Sequence, residues 1–419
     1  MTRVRWTLAC LLGLCVLSLA GCTTIVGPTG RTVPEPASAF APQTEFATGT
    51  NPWALALGDL NGDGTLDVVV VNQSAQSVSV LLGKGDGTFG SKTDFPTGRG
   101  PVALALADLN GDGRLDLAVA NIVGTVSILL GNGDGTFGPK TDLATRDIPW
   151  ALALADLNGD GTPDLVVAND RAGSVSILLG KGDGTFGPKT DFPTGPAPRA
   201  LALADLNGDG KIDLAVMDVG AATVSVLWGR GDGTFGLRTD LAMGGTPVAL
   251  ALADVNGDGA IDLITANLGT DTVSVLLGNG DGTFGSKTDF PTGSDPRALA
   301  LADLDRDGQF DLVVANTNAN TISVLLGNGD GTFQSKNDIL TAKGPHAVAV
   351  ADLNGDARID LVVANWWSNS VSVFLNTAPT RSAKTTGNGT GEVFSALAAQ
   401  GAGGRLSLLT PSPNTVGSR

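Results

Sequence analysis

The stretch of sequence that decides the fold is ALALADLNGDGRLDLAVAN, residues 103–121. It joins a short apolar segment to a loop rich in aspartate, asparagine and glycine, and the loop leads into a second short apolar segment. Short apolar runs bounded by such turn-forming residues are typical of β-strands. The stretch therefore predicts two strands joined by a polar loop.

The same phrase recurs seven times. Its leading aspartates stand 48 or 49 residues apart, at Asp59, Asp108, Asp156, Asp205, Asp254, Asp303 and Asp352. A fixed period of this length indicates one supersecondary unit repeated along the chain. In the unit that spans residues 101–148 we predict four strands, Val102–Ala107, Leu117–Asn121, Thr125–Leu130 and Thr136–Ala144. Four short strands in a repeat make one blade of a β-propeller, so the chain is predicted to be all-β with seven blades.

The two ends of the array complement each other. The last repeat stops after its third strand, and the segment Phe40–Gly49 before the first repeat matches the fourth-strand segment Phe89–Gly98. We therefore predict that residues 40–48 pair with residues 370–376 and close the ring, because an open array would expose a strand edge. Residues 40–376 then form the propeller, and residues 377–419, rich in Thr, Ser, Gly, Ala and Pro, are predicted to be a flexible tail.

The polar loop in each repeat follows the pattern Asp-x-Asn/Asp-x-Asp-x-x-x-Asp, with glycine at position 6 except in the seventh repeat. Oxygens at positions 1, 3, 5 and 9, with the carbonyl of position 7, suit Ca²⁺, which takes six to eight oxygen ligands. An EF-hand is excluded, because position 12 of the first loop is Val70 and a strand follows. The alternative is that the motif only makes hairpin turns.

Ala357 replaces the glycine of the seventh loop, which is expected to weaken that site. The predicted ligands of up to seven Ca²⁺ ions are Asp59, Asn61, Asp63, Thr65 and Asp67; Asp108, Asn110, Asp112, Arg114 and Asp116; Asp156, Asn158, Asp160, Thr162 and Asp164; Asp205, Asn207, Asp209, Lys211 and Asp213; Asp254, Asn256, Asp258, Ala260 and Asp262; Asp303, Asp305, Asp307, Gln309 and Asp311; and Asp352, Asn354, Asp356, Arg358 and Asp360.

These loops, with the repeated Gly-x-Gly-Asp-Gly-Thr-Phe phrase, make the sequence resemble the FG-GAP and VCBS-type repeat proteins. Their relatives include the propeller head of integrin α subunits. The resemblance covers residues 40–376. It implies a seven-bladed propeller with a short calcium loop in each blade.

The N-terminus has the features of a secretory signal. Arg3 and Arg5 precede an apolar run that ends in Leu19-Ala20-Gly21-Cys22, which resembles the lipobox of bacterial lipoproteins. Residues 1–21 are predicted to be a signal peptide, Cys22 the lipidated first residue of the mature chain, and residues 22–39 a linker, so that the protein is exported and held on the bacterial envelope by lipid alone. The alternative is an ordinary signal peptide with a chance cysteine.

Composition narrows the function. The net charge of −16 leaves no basic surface for nucleic acid, and all three cysteines lie within the first 22 residues, so the propeller has no disulfide. His346 is the only histidine, and no nucleophilic triad can be assembled around it. We therefore predict a protein that binds rather than catalyses. The alternatives are a polysaccharide-active enzyme or enzyme subunit, and a purely structural envelope protein.

Variation between repeats predicts where binding occurs. The phrase of the scaffold is nearly constant, whereas the residues before the first strand and between the second and third strands differ. Both sets should lie on the face opposite the calcium loops, where a rigid ring would carry recognition. There we predict an exposed aromatic patch of Trp53, His346, Trp366 and Trp367 that binds a glycan or a protein. The alternative for Trp53 is packing between blades.

Overall fold

The computed structural model describes residues 40–145 and 148–378, and the backbone of residues 397–398 and 402–403. Within these ranges the chain is built from β-strands, and no helix is long and apolar enough to cross a bilayer. The predicted signal peptide, Cys22 and the linker lie outside the described residues, as does most of the predicted tail.

The strands form seven sheets of the kind predicted. The first strand of the chain is β1 (Thr44–Ala47). Blades one to three consist of β2 (Pro52–Gly58), β3 (Asp67–Asn72), β4 (Ser77–Leu81), β5 (Thr93–Pro96); β6 (Pro101–Ala107), β7 (Asp116–Asn121), β8 (Thr125–Leu129), β9 (Thr141–Ala144); and β10 (Pro149–Ala155), β11 (Asp164–Asn169), β12 (Ser174–Leu178), β13 (Thr190–Pro193). Blades four to six consist of β14 (Pro198–Ala204), β15 (Asp213–Asp218), β16 (Thr223–Gly229), β17 (Phe235–Ala242); β18 (Pro247–Ala253), β19 (Asp262–Asn267), β20 (Thr272–Leu276), β21 (Thr288–Pro291); and β22 (Pro296–Ala302), β23 (Asp311–Asn316), β24 (Thr321–Leu325), β25 (Asn337–Leu340). Blade seven contains β26 (Pro345–Ala351), β27 (Asp360–Asn365) and β28 (Ser370–Phe374), and β29 (Leu397–Ala398) and β30 (Ala402–Gly403) follow.

Each blade is an antiparallel meander in which neighbouring strands pair in sequence order. The fourth place in blade seven is taken by β1, which pairs with β28 through Thr44 opposite Val373 and Ala47 opposite Ser370. The first strand of each blade packs beside the first strand of the next, and β26 packs beside β2. The seven blades therefore form a ring with the first strands innermost.

The core lies between blades. Seven clusters of buried apolar side chains are present in the described residues, and each combines residues from two adjacent blades. The inner strands of each sheet are covered on both faces by the adjacent blades. Their sequences are therefore continuous apolar runs, and Val68–Val71 in β3 is an example. One such cluster joins blades seven and one, so the seam of the ring is packed like the other interfaces.

The predicted fourth strand, Thr136–Ala144, is wrong at its beginning. The strand starts at Thr141, because the preceding Gly-x-Gly-Asp-Gly-Thr-Phe phrase forms a loop closed by a bridge between Gly131 and Phe137. Gly133 and Gly135 in this loop have φ values of 75° and 82°, a region that side chains other than glycine rarely adopt.

A buried polar chain ties the second, third and fourth strands of most blades together. In blade two the Asn121 amide donates to Ser127 Oγ at 3.0 Å, and Ser127 Oγ donates to Asp142 at 2.6 Å. Blade four has Asp218 in place of this asparagine, and burial raises the pKa of its carboxyl group. Ser225 Oγ donates to Asp218 Oδ2, so the second and third strands stay linked although the direction of the bond is reversed.

Two short strands lie on inner strands of the ring. The backbone of β29 pairs with Leu299 and Ala300 of β22, and that of β30 pairs with Leu104 and Ala105 of β6. Each adds a fifth strand beyond the first strand of its blade, on the side that faces the centre of the ring.

Candidate functional site

Two sets of residues mark the two ends of the innermost strands. In blade one, β2 ends at Gly58 directly before the loop that begins at Asp59, and it begins at Pro52, which pairs with Asn72 at the end of β3. The acidic loops therefore lie on one face of the ring. The variable segments, including the turns between second and third strands, lie on the other, as predicted.

Each acidic loop is organised by its own carboxylates. In blade two, Asp108 Oδ1 accepts the backbone N–H of Gly111 at 2.7 Å and Oδ2 accepts that of Gly113 at 2.8 Å. Asp112 accepts the N–H of Arg114 at 2.9 Å. The aspartates at positions 1 and 5 thus hold a tight turn whose oxygen atoms remain on the surface.

The aspartate at position 9 has a structural task. Asp116 is fully buried, and its two oxygens accept the N–H of Leu109 at 2.8 Å and the N–H of Gly131 at 2.7 Å. It therefore clamps the acidic loop to the hairpin after the third strand. The equivalent aspartates make the same pair of bonds in the other blades, with Asn376 in place of the hairpin glycine in blade seven; they are Asp67, Asp164, Asp213, Asp262, Asp311 and Asp360.

Blade six has the most concentrated carboxylates. Oxygens of Asp303, Asp305 and Asp311 lie within 4.8 Å of one another, and among the described residues only this group of three acidic side chains converges so closely. Ca²⁺ binds oxygens at 2.3–2.6 Å, so oxygens around one ion lie at most about 5 Å apart, and this donor set fits the ion. Burial raises the pKa of Asp311 to about 8, with neighbouring aspartates adding to the shift. A cation here would relieve that cost of burying a carboxylate.

The loop of blade seven is strained where the sequence predicted it. Ala357 has a φ of 64°, and its N–H donates to Asp352 at 2.8 Å as the glycine does in other loops. A left-handed conformation costs a residue with a side chain roughly 1–2 kcal/mol. The loop is formed in spite of this cost.

The face opposite the acidic loops carries a bulge in every blade. The pairing of first and second strands shifts by one residue directly after the opening proline, so one residue is left over. A bulge re-aims the extra side chain out of the normal alternation. We call these seven the bulge residues; they are Trp53, Val102, Trp150, Arg199, Val248, Arg297 and His346.

The aromatic bulge residues meet. The ring centroid of Trp53 lies 4.1 Å from that of His346 and 5.9 Å from that of Trp150, and the guanidinium of Arg199 lies 4.6 Å above the Trp150 ring. Trp53 belongs to blade one, His346 to blade seven and Trp150 to blade three. Side chains of blades that are not neighbours touch only near the centre of the ring, so this cluster covers the axis.

A cavity of about 250 Å³ opens beside this cluster, at the seam between blades six, seven and one. Trp53 and His346 line it, and Trp366 stacks against Trp367 with centroids 6.1 Å apart. The residues that line it are Trp53, Asp295, Arg297, Thr317, Asn318, His346, Trp366 and Trp367.

The four predicted ligand-binding residues therefore lie together, but two of them are not exposed. Trp53 is 8% exposed and His346 is 2% exposed, whereas Trp367 is 48% exposed. The expected exposed patch is wrong in this respect, because the bulges turn Trp53 and His346 inward over the axis. Trp53 also packs in the cluster between blades one and two, as its alternative assignment held.

Four further residues that line the cavity were missed from the sequence: Asp295, Arg297, Thr317 and Asn318. The signal was present, since all four lie in the variable segments of blade six. The sequence does not show that these residues of blade six lie close to Trp366 of blade seven.

Polar groups in the cavity are incompletely paired. The indole N–H groups of Trp53 and Trp366 are buried and have no acceptor among the described residues, and an unpaired buried donor costs about 1–3 kcal/mol. His346 Nδ1 lies 2.9 Å from the Trp53 carbonyl, which only accepts, so Nδ1 carries the hydrogen and Nε2 is an acceptor. Burial lowers the pKa of His346 to about 4, which keeps the ring neutral at physiological pH.

A family model described as an FG-GAP-like repeat matches the chain seven times, over residues 35–70, 59–119, 108–167, 156–216, 205–265, 254–314 and 303–363. Each match begins at or before an acidic loop, and consecutive matches overlap in the loop. A search of curated proteins found no match to the chain.

Solved structures with a similar fold include two lectins. The BP39L lectin from Burkholderia pseudomallei has a TM-score of 0.59 at 15% identity, covering 79% of this chain and 97% of its own. A lectin from Agrocybe aegerita that recognises non-reducing terminal N-acetylglucosamine has a TM-score of 0.52 at 25% identity, covering 70% and 81%. Virginiamycin B lyase from Staphylococcus aureus has a TM-score of 0.55 at 12% identity, covering 80% and 98%. Because these relatives have different activities, they establish the fold alone.

Proposed function

The chain belongs to the FG-GAP-like repeat family, and from this premise we propose that it is a calcium-stabilised binding module of the cell envelope, not an enzyme. Its recognition surface is the face that carries the bulge residues. The observation that supports this most strongly is the bulge in all seven blades, which falls at the position of the first strand where side chains differ most. A scaffold that needed only stability would have no reason to vary there.

Backbone strain at the same place supports the proposal. Asn51, Ile148, Ala197 and Asp295 each directly precede an opening proline and have φ values between 50° and 62°. Strain of this kind costs of order 1–3 kcal/mol for each residue and clusters at functional positions. Here each strained residue lies two positions before a bulge residue.

Calcium has a separate task in the proposal. The acidic loops would hold up to seven Ca²⁺ ions on the opposite face, with the tightest site in blade six, where Asp303, Asp305 and Asp311 converge. The ions would supply positive charge that offsets the repulsion among clustered carboxylates. They would stabilise the ring and would not contact the ligand.

The two faces can be tested separately because the mature chain has no cysteine after Cys22. In a chain that begins at Thr23, and therefore lacks Cys10, Cys15 and Cys22, we would place a single cysteine at Val123, which is exposed on the recognition face, or at Lys84 in a hairpin on the acidic face. Ligands would first be found on arrays of glycans and of peptides. Coupling a bulky polymer to Val123→Cys should then reduce binding at least tenfold, whereas coupling it to Lys84→Cys should not. The reverse pattern would place recognition on the acidic face and contradict the proposal.

The anchor is a further part of the proposal and rests on the lipobox alone. Replacing Cys22 with serine should move the protein from the membrane fraction to the soluble fraction, because two or more acyl chains would be lost. Fractionation followed by immunoblotting measures this. A variant that stays with membranes through a detergent-free high-salt wash would show that something other than Cys22 holds it.

A further inference from the structure

We propose that the cavity between blades six, seven and one binds one unit of an uncharged saccharide, at a chain end or a branch. This inference rests on the proposed function, because it names the ligand of the recognition face. It is carried by an exposed aromatic platform, by unpaired hydrogen-bonding groups and by a charge balance close to zero, all on residues that line one cavity.

The platform is Trp367. Its ring is 48% exposed and lies on Trp366, with an angle of 28° between the two planes. Its backbone N–H donates to the Lys343 carbonyl at 3.2 Å, and the ring covers Gly344 so closely that a Cβ there would come within 2.8 Å of it. The ring is therefore held in place before a ligand arrives, which lowers the entropy lost on binding. A flat, fixed aromatic face suits the apolar C–H face of a sugar ring.

The polar groups of the residues beside Trp367 include both hydrogen-bond donors and an acceptor. The indole N–H groups of Trp53 and Trp366 have no acceptor among the described residues, and Nε2 of His346 offers a lone pair. A sugar hydroxyl both donates and accepts a hydrogen bond. A ligand that carries several hydroxyls on a ring can satisfy such a set, whereas an aliphatic ligand would leave the donors unpaired.

The charges of the cavity cancel. Arg297 Nε donates to Asp295 Oδ1 at 2.7 Å, and these are the only charged side chains among the described residues that line the cavity, since His346 is neutral. An anionic or cationic ligand would have to break this pair to gain a counter-charge. An uncharged polar ligand can use the remaining donors and acceptors of the pair without breaking it.

The size of the cavity limits what can enter. Its volume of about 250 Å³ corresponds to roughly eight water molecules at about 30 Å³ each. That space accommodates one sugar ring but not a folded peptide segment. The rest of a saccharide chain would extend outward past Trp367.

The test uses the full chain and an array of neutral oligosaccharides, with a peptide array alongside. Trp367→Ala should weaken saccharide binding at least tenfold, and Trp367→Tyr should retain most of it, because tyrosine keeps an aromatic face. Trp53→Phe should weaken binding several-fold, because it keeps the ring but removes one N–H. Val123→Ala, at the same repeat position as Trp367 in blade two, is the matched control and should bind normally. Thermal melting of each variant would show that the fold is intact.

The outcomes separate this inference from the proposed function. Saccharide binding that Trp367→Ala and Trp53→Phe leave unchanged would overturn the cavity as the site, and no saccharide binding at millimolar concentration would overturn the ligand class. A peptide whose binding is lost in Trp367→Ala would also overturn the saccharide inference, but the recognition face would stand. Only failure of the polymer-coupling experiment would contradict the face itself.

Discussion

Deleting residues 40–48 is expected to open the ring and to produce a less stable protein that aggregates. The deletion removes β1 and leaves β28 as an unpaired edge from Ser370 to Phe374. It also removes the Phe46 ring, which packs edge-on against Phe89 of blade one at 5.3 Å, so the seam loses an aromatic contact. Exposed strand edges pair with other chains, so the variant should elute as oligomers in size-exclusion chromatography and melt at a clearly lower temperature.

Two matched variants sharpen this result. Deleting residues 24–38, which precede the closing segment, should leave melting and elution unchanged. Phe46→Ala should lower the free energy of unfolding by about 3 kcal/mol, the low end for phenylalanine because Phe46 is only half-buried. A synthetic peptide of residues 40–48 should partly restore the deletion variant by adding the strand back. A deletion variant that is monomeric and as stable as the parent would show that β1 does not close the ring.

Removing calcium is expected to destabilise the protein substantially, because a ligand that binds only the native state stabilises it by mass action. If each loop binds Ca²⁺ with a dissociation constant of about 10⁻⁴ to 10⁻³ M, as extracellular modules do, then about 10 mM calcium adds roughly 1.4–2.7 kcal/mol for each occupied site. Melting curves in excess chelator and in calcium should differ accordingly. Identical curves after verified removal of metal would contradict calcium binding in the loops.

The acidic loops allow the metal to be separated from the scaffold. Asp305→Asn gives blade six the asparagine that the other six loops have, and it should reduce the stabilisation by calcium without changing the melting point in chelator. Asp67→Asn removes an acceptor for the N–H of Leu60 or of Gly83, so it should lower the melting point with and without calcium by a similar amount. If Asp67→Asn mattered only in calcium, the main task of Asp67 would be to bind the ion and not to clamp the loop.

Much of the blade could be predicted from local patterns. The strands of the unit 101–148 were placed within a residue or two, except the fourth, whose start at Thr141 was missed. Thr136 and Phe137 have the β-propensity of a strand, but the glycines before them form a loop that delays the pairing. Local propensity does not show where a hairpin ends.

The contacts of the position-9 aspartates show a second limit of what spacing patterns in the sequence can predict. Their spacing matches a metal loop and predicts Asp116 as a metal ligand, and this stays a prediction; the spacing does not predict the further contacts of its carboxylate. The structure gives both of its oxygens a backbone N–H, one of them from Gly131, which lies fifteen residues away. A bond across that distance depends on how the hairpin folds back over the loop, and no spacing rule contains it.

The sequence by itself determined the number of blades, the face on which variation lies and the position of the acidic loops, because a repeated pattern of apolar and turn-forming residues acts within each blade. Only the tertiary structure decided that Trp53 and His346 are buried beside Trp150, and that Asp295 and Arg297 share a cavity with Trp366. These residues come from blades that are distant in sequence. They meet because seven bulges aim their side chains at one axis when the ring closes, and that convergence is a property of the closed ring rather than of any single repeat.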